Sequence, residues 1–269
     1  MTFGARLHAA IVDRGPFCVG VDPHAALLRA WGLEDTVEGL ESFALRTVEA
    51  VAPHVSVLKP QSAFYERFGS RGIAVLERVC AEARAAGALV LLDVKRGDIG
   101  STSQAYAEAY LDPTSPLAVD AITVSPFLGF GSLDPFVEAA RAHDAGLFVL
   151  ALTSNPEGPE VQAARTGTGT VAGTVLDHLR RLNEGSSPLG SFGAVVGATI
   201  GSLEEDLAFG GPVLAPGFGA QGGTVADVRR LFAGAAAVLP SSSREVLGAG
   251  PDPEAMRDAV RRANDALRS

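Results

Sequence analysis

Short apolar runs rich in β-forming residues recur eight times along the chain, and between them lie longer stretches whose apolar residues have helical spacing. The runs are PFCVGVD (16–22), VSVLKP (55–60), ALVLLDVK (88–95), AITV (121–124), GLFVLALT (146–153), GAVVGAT (193–199), PVLAPGFG (212–219) and AAAVLP (235–240). Helical spacing marks stretches such as 37–51, 72–86, 132–143, 170–183, 225–232 and 252–267. A strand that is apolar on both sides must be covered on both sides, and a parallel sheet wrapped by its crossover helices does this. Eight such units in 269 residues fit a closed (β/α)8 TIM barrel better than an open doubly wound sheet. No long linker or shift in composition divides the chain, so residues 1–269 are expected to form a single barrel domain.

The opening segment MTFGARLHAAIVDRG has too short an apolar stretch for a signal peptide. It reads as a short amphipathic N-terminal helix with Phe3, Leu7, Ala10 and Ile11 on one face. No apolar run approaches bilayer-spanning length, which argues against a membrane partner. The two cysteines, Cys18 and Cys80, are expected as buried free thiols of a cytoplasmic protein. A net charge of −9 argues against nucleic acid but leaves room for a small phosphorylated ligand. Segments 154–170 and 184–192 read as loops, and TGTGT (166–170) as a flexible loop rather than a phosphate loop, because neither a strand precedes it nor a GKS or GKT tail follows.

Unusual polar residues gather at the strand C-termini: Asp22, Lys59, Asp93, Lys95, Ser154 and Gln221. In a (β/α)8 barrel these ends converge on the rim where active sites are built. Of 22 basic residues only two are lysine, Lys59 and Lys95, and both stand on this rim. Arginine is almost never deprotonated, whereas a lysine ammonium can give up its proton. Asp93 and Lys95 lie two apart and should share one side of a strand, with Asp98 in the loop or helical turn beyond. Lys59 on the preceding strand completes an expected Lys59–Asp93–Lys95–Asp98 array. There a substrate carboxylate set against Asp93 would be relieved on leaving as carbon dioxide, and Lys95 would protonate the carbanion left behind.

The glycines of PGFGAQGG (216–223) let backbone N–H groups approach an oxyanion closely, and Ser242, Ser243 and Arg244 follow the eighth run. Phosphate is commonly held after strands 7 and 8 of such barrels, and Arg244 can offer it a bidentate pair.

Asp93-Val94-Lys95-Arg96-Gly97-Asp98-Ile99 resembles the Asp-x-Lys-x-x-Asp signature of the orotidine 5′-phosphate decarboxylase family. KRGDIGST, SNPEG (154–158) and PGFGAQGG resemble its longer bacterial, actinobacterial-type subfamily, and the likeness runs from GVDPH (20–24) through LKPQSAFYE (58–66) to the final phosphate motif. The resemblance implies conversion of orotidine 5′-phosphate to UMP without metal or cofactor, the last step of pyrimidine synthesis. It implies that Lys95 protonates C6, that Asp93 lies against the departing carboxylate, and that Lys59 orients Asp93 and a ribose hydroxyl. It assigns Asp22 to the ribose, Ser154 to the pyrimidine, and Pro216, Gln221, Ser243 and Arg244 to the phosphate end. Asp98, with Ile99 and Thr102, would enter the neighbouring subunit's site, which requires a homodimer. Phe218 stands where a smaller aliphatic residue is expected, and Ser243 where many relatives have glycine.

Three other readings use the same residues. A magnesium-dependent 3-keto-L-gulonate 6-phosphate decarboxylase or hexulose-phosphate synthase would share the Asp-x-Lys-x-x-Asp pattern, though the Gln221 loop and KRGDI favour the orotidine enzyme. A Schiff-base aldolase would need a lysine whose pKa is depressed, whereas Asp93 and Asp98 should raise it. A barrel that only binds a phosphorylated ligand would have little use for every polar rim residue.

Overall fold

The computed structural model describes residues 1–167, 169–201 and 203–269. Eight parallel strands close into a barrel: β1 (Cys18–Val21), β2 (Val57–Pro60), β3 (Leu89–Arg96), β4 (Ala121–Val124), β5 (Gly146–Leu152), β6 (Phe192–Val196), β7 (Pro212–Pro216) and β8 (Ala237–Ser242). Each strand pairs with its neighbour in sequence, and the ring shuts where Cys18 and Val19 of β1 stand opposite Ser241 and Ser242 of β8. Every strand lies within a few residues of its apolar run, and β4 coincides with it.

The outer layer is built from α2 (Ala25–Ala30), α3 (Val37–Val51), α4 (Ala63–Glu66), α5 (Gly69–Ala85), α6 (Gly100–Leu111), α7 (Asp134–Ala142), α8 (Pro159–Gln162), α9 (Val171–Leu182), α10 (Val225–Leu231), α11 (Arg244–Leu247) and α12 (Pro253–Arg268); α1 (Phe3–Arg14) precedes the barrel. In α3 the Thr36 hydroxyl accepts the Gly39 N–H at the first turn, and Leu40, Phe43, Ala44, Thr47, Val48 and Val51 then fall on one buried stripe. Thr224 and Asp227 close a reciprocal capping box on α10. Among the described residues, the link from β6 to β7 carries no helix.

Two cores result. The larger lies between strands and helices; the smaller fills the barrel axis with Cys18, Val57, Leu91, Ala121, Phe148, Val195, Leu214 and Leu239. Helix α1 closes the N-terminal end of that axis. Its Phe3 meets Phe148 edge-on with ring centroids 6.1 Å apart, and Leu7 is fully buried beside it. A Cβ on Gly146 would come within 2.3 Å of the Phe3 ring, so only glycine lets the helix seat this deeply. Burying a ring such as Phe3 contributes about 1.5–3 kcal/mol. Polar contacts add to this: Arg6 donates to the buried Asp120 carboxylate and to the Asp144 carbonyl.

The 154–170 segment differs from the loop expected. It contains α8, and Arg165–Thr166 pairs antiparallel with Gly169–Thr170; Thr168, within TGTGT, lies outside the described residues. The cause is local: Thr170 ends the ribbon and caps α9 by accepting the Gly173 N–H, so the chain is fixed where it enters the helix. Cys18 and Cys80 are buried and free. Among the described residues no helix is long and apolar enough to cross a membrane.

Candidate active site

Strands β3 and β4 run in register at Leu91–Ala121 and Leu92–Ile122, and pairing resumes only at Arg96–Val124. Asp93, Val94 and Lys95 therefore stand opposite a single residue, Thr123. A bulge of this kind bends the strand and re-aims its side chains. Lys95 takes φ +45°, in the left-handed region that a residue with a Cβ enters only at a cost. Asp93 and Lys95 do meet, as their spacing suggests, but the bulge and not the pleat of a regular strand brings them together.

The Asp93 carboxylate sits between two ammoniums. Its Oδ1 is 2.6 Å from Lys95 Nζ, and its Oδ2 is 3.3 Å from Lys59 Nζ. Thr123 donates its hydroxyl to Oδ1 at 2.7 Å. Burial alone would raise the Asp93 carboxyl; the charges of Lys59 and Lys95 and hydrogen bonds from Lys95 and Thr123 win, holding its pKa down to about 2. Burial also works against the Lys59 charge, yet Asp22 and Asp93 outweigh it and push its pKa above the ordinary lysine value. Lys59 is buried, whereas the Lys95 side chain keeps 46% of its surface exposed, so of the two ammoniums it is the one presented to an incoming molecule.

Across the mouth, Ser243 Oγ donates to Asp22 Oδ2, and Asp22 Oδ1 is buried with no hydrogen-bond partner. A Cβ on Gly20 would fall 2.0 Å from Ser243 Oγ, so glycine in β1 makes this contact possible. These groups line a cavity of about 220 Å³ at the C-terminal end of the barrel. Lys59, Asp93, Lys95 and Thr123 form one wall, Leu150, Val195 and Leu214 an apolar floor, and Pro216, Gly217, Gln221 and Ser241 to Ser243 the opposite rim. The glycine loop turns through positive φ at Gly217, Gly219 and Gly222, and is pinned by the Gly223 N–H donating to the Gly217 carbonyl at 3.0 Å. Phe218 points away from the cavity and packs edge-on against Phe17 at 5.9 Å, so the unexpected aromatic anchors the loop root in the core. A carboxylate held ionised beside an accessible ammonium, over an apolar floor and facing a glycine loop, is suited to expelling a carboxylate from a phosphorylated substrate and protonating the carbon left.

A family model described as "Orotidine 5'-phosphate decarboxylase / HUMPS family" matches residues 15–259. The chain belongs to this family. Among relatives, the orotidine 5′-phosphate decarboxylase of Nocardioides sp. is 79% identical over 271 residues, covering 99% of each chain. That of Streptomyces coelicolor is 62% identical, covering 97% of this chain and 95% of the relative. A crystal structure from Streptomyces avermitilis superposes with a TM-score of 0.97 at 61% identity, over 99% of this chain and 95% of that one. Leishmania donovani OMP decarboxylase superposes with a TM-score of 0.76 at 30% identity, over 100% and 98%.

Of the residues that the orotidine 5′-phosphate decarboxylase signature singles out, the fold brings Asp22, Lys59, Asp93, Lys95, Pro216, Gln221 and Ser243 to one cavity. Others stand apart from it within this chain. Asp98 accepts the Ile99 N–H at 2.8 Å and does not line the cavity, Ile99 is 63% exposed, and Thr102 is exposed on the first turns of α6. Ser154 is exposed in an adjoining cleft of about 560 Å³, which meets the cavity at Thr153. Arg244 opens α11 and is exposed. Thr123 escaped the sequence reading because a β-branched residue in AITV looks like any strand filler; its register opposite the charged bulge was the only signal.

Proposed function

We propose that residues 1–269 act as one cytoplasmic decarboxylase domain that converts orotidine 5′-phosphate to UMP and carbon dioxide, with neither metal nor cofactor. The observation that carries this reading is the buried Asp93 carboxylate held between Lys59 and Lys95 at the barrel mouth. The substrate carboxylate would lie toward Asp93, which stays ionised, so two negative charges are forced together in the bound state and separate as carbon dioxide leaves. The C6–carboxylate bond breaks, its electron pair stays on C6, and the Lys95 ammonium transfers a proton there. Neutral Lys95 then regains a proton from water. Lys59 holds Asp93 and reaches a ribose hydroxyl, and the unpartnered Asp22 Oδ1 is free to accept from the ribose. The Pro216–Gly223 loop with Gln221, Ser243 and Arg244 takes the phosphate, and Ser154 the pyrimidine.

The same reading makes the protein a homodimer in which Asp98, Ile99 and Thr102 complete the neighbouring subunit's site. Their position outside this chain's own cavity supports it, with Ile99 and Thr102 exposed and Asp98 half-buried, as does exposed apolar surface at Ile99, Phe127 and Leu128. Mixing inactive Lys95→Ala and Asp98→Ala proteins should restore activity, because half of each mixed dimer's sites would be intact. Proven heterodimers without activity would sink the shared site.

Loss of orotidine 5′-phosphate absorbance, measured with and without EDTA, tests the reaction. Turnover should be unchanged by chelation; activity abolished by EDTA and restored by magnesium would point to a sugar-phosphate decarboxylase or synthase instead. A Schiff-base route is disfavoured by the carboxylates that keep Lys59 charged. Borohydride trapping of a substrate adduct would revive it.

A further inference from the structure

We propose that Thr123 is a positioning residue for the proton transfer: its hydroxyl locks the bulged Asp93-Val94-Lys95 turn so that the Lys95 ammonium is held at the reacting carbon. This rests on the decarboxylase reading above. Thr123 is buried in a strand otherwise made of Ala121, Ile122 and Val124, where valine would fill the same space and suit the strand equally. A buried hydroxyl costs free energy unless it is paired. This one accepts from the Val94 N–H at 3.1 Å and the Lys95 N–H at 2.9 Å, and donates to Asp93 Oδ1 at 2.7 Å.

One donor and two acceptor positions are all a hydroxyl has, and all three are spent on the bulge. Thr123 lines the cavity, yet it has no hydrogen-bonding capacity left for a ligand, so it acts through Asp93 and Lys95. Three residues facing one leave the Val94 and Lys95 amides out of the regular ladder, and the Thr123 oxygen is their acceptor. The left-handed backbone of Lys95 persists only where its surroundings over-determine it. Without the hydroxyl that turn can relax, and the ammonium moves with its own backbone.

The test compares Thr123→Val, Thr123→Ser and Lys95→Ala by steady-state kinetics and UMP binding. A displacement of about 1 Å costs on the order of 100-fold, so Thr123→Val should lower kcat by about 100-fold while KM stays within about twofold. UMP binding should be unchanged, and Thr123→Ser should restore most of the turnover. Wild-type kcat in Thr123→Val, or no rescue by serine, would overturn the inference. If Thr123→Val no longer binds UMP, Thr123→Ala takes its place; loss of UMP binding in both would make Thr123 a residue of the fold and also overturn it. Lys95→Ala separates the two levels: if it keeps its turnover the proton-donor reading fails, whereas an inactive Lys95→Ala beside an unaffected Thr123→Val sinks only the positioning role.

Discussion

Asp93 and Asp120 are buried carboxylates at opposite ends of the barrel, and they differ in what pairs with them. At the closed end Asp120 is 5% exposed, takes a hydrogen bond from Arg6, lies 3.7 Å from Arg84 Nε, and accepts the Val90 N–H at 2.9 Å. At the open end Asp93 is 7% exposed and is held by Lys59, Lys95 and Thr123. Burial and charge are nearly the same, and each carboxylate takes one further hydrogen bond from an uncharged donor. The cations differ: arginines, which keep their protons, tie α1 through Arg6 and α5 through Arg84 to Asp120, whereas both lysines of the chain meet at Asp93. A buried ion pair therefore says little about function until the partner's ability to release a proton is considered.

The sharpest way to break this comparison is to give the open end the closed end's chemistry. Lys95→Arg keeps the charge but not the transferable proton, and turnover should fall by about 10⁴-fold with the fold retained. The absorbance assay reads this directly; a variant keeping a tenth of its turnover would mean that charge alone suffices. At the closed end, Asp120→Ala strands Arg6 and the Val90 N–H and should cost about 3–5 kcal/mol in urea unfolding. Its kcat per folded molecule should match wild type, and a large fall would show that the two ends are not independent.

Acid probes the open end directly. Asp93 has a folded pKa of about 2, below its ordinary 3.8, so its stabilisation is complete above that ordinary value and is lost as pH falls toward 2. The shift corresponds to about 2 kcal/mol. Urea unfolding between pH 5 and pH 2, compared with Asp93→Asn, should show that loss only in the wild type; parallel curves would remove Asp93 as its source. The smallest effect belongs to Arg84→Ala, since this partner of Asp120 is 45% exposed and should matter by less than about 1 kcal/mol.

The barrel was legible because strands buried on both faces must be apolar throughout, and the runs at 121–124 and 146–153 needed almost no correction. Lys59, Asp93 and Lys95 stood out because charged residues in such strands need a reason. Thr123 did not, since its residue type satisfies a strand and only register reveals its hydroxyl's partners. The left-handed turn at Lys95 was equally hidden, because no glycine marks it. Asp120 lay at the edge of an apolar run, and its partner Arg6 is 114 residues away. Phe218 looked like a misfit in the phosphate loop until Phe17, from the far end of the sequence, supplied its other half.

Helix α1 has a consequence for how the chain is made. It leaves the ribosome before every strand it plugs, and Arg6 must wait 114 residues for Asp120 and 138 for the Asp144 carbonyl. At ordinary synthesis rates that delay is on the order of ten seconds. Throughout it, Phe3 and Leu7 lack the later strand residues, Phe148, Val195, Leu214 and Leu239 among them, that share their core in the finished fold. Seating α1 is thus a late, long-range event, and the segment synthesised ahead of the barrel becomes the stopper that reports its closure.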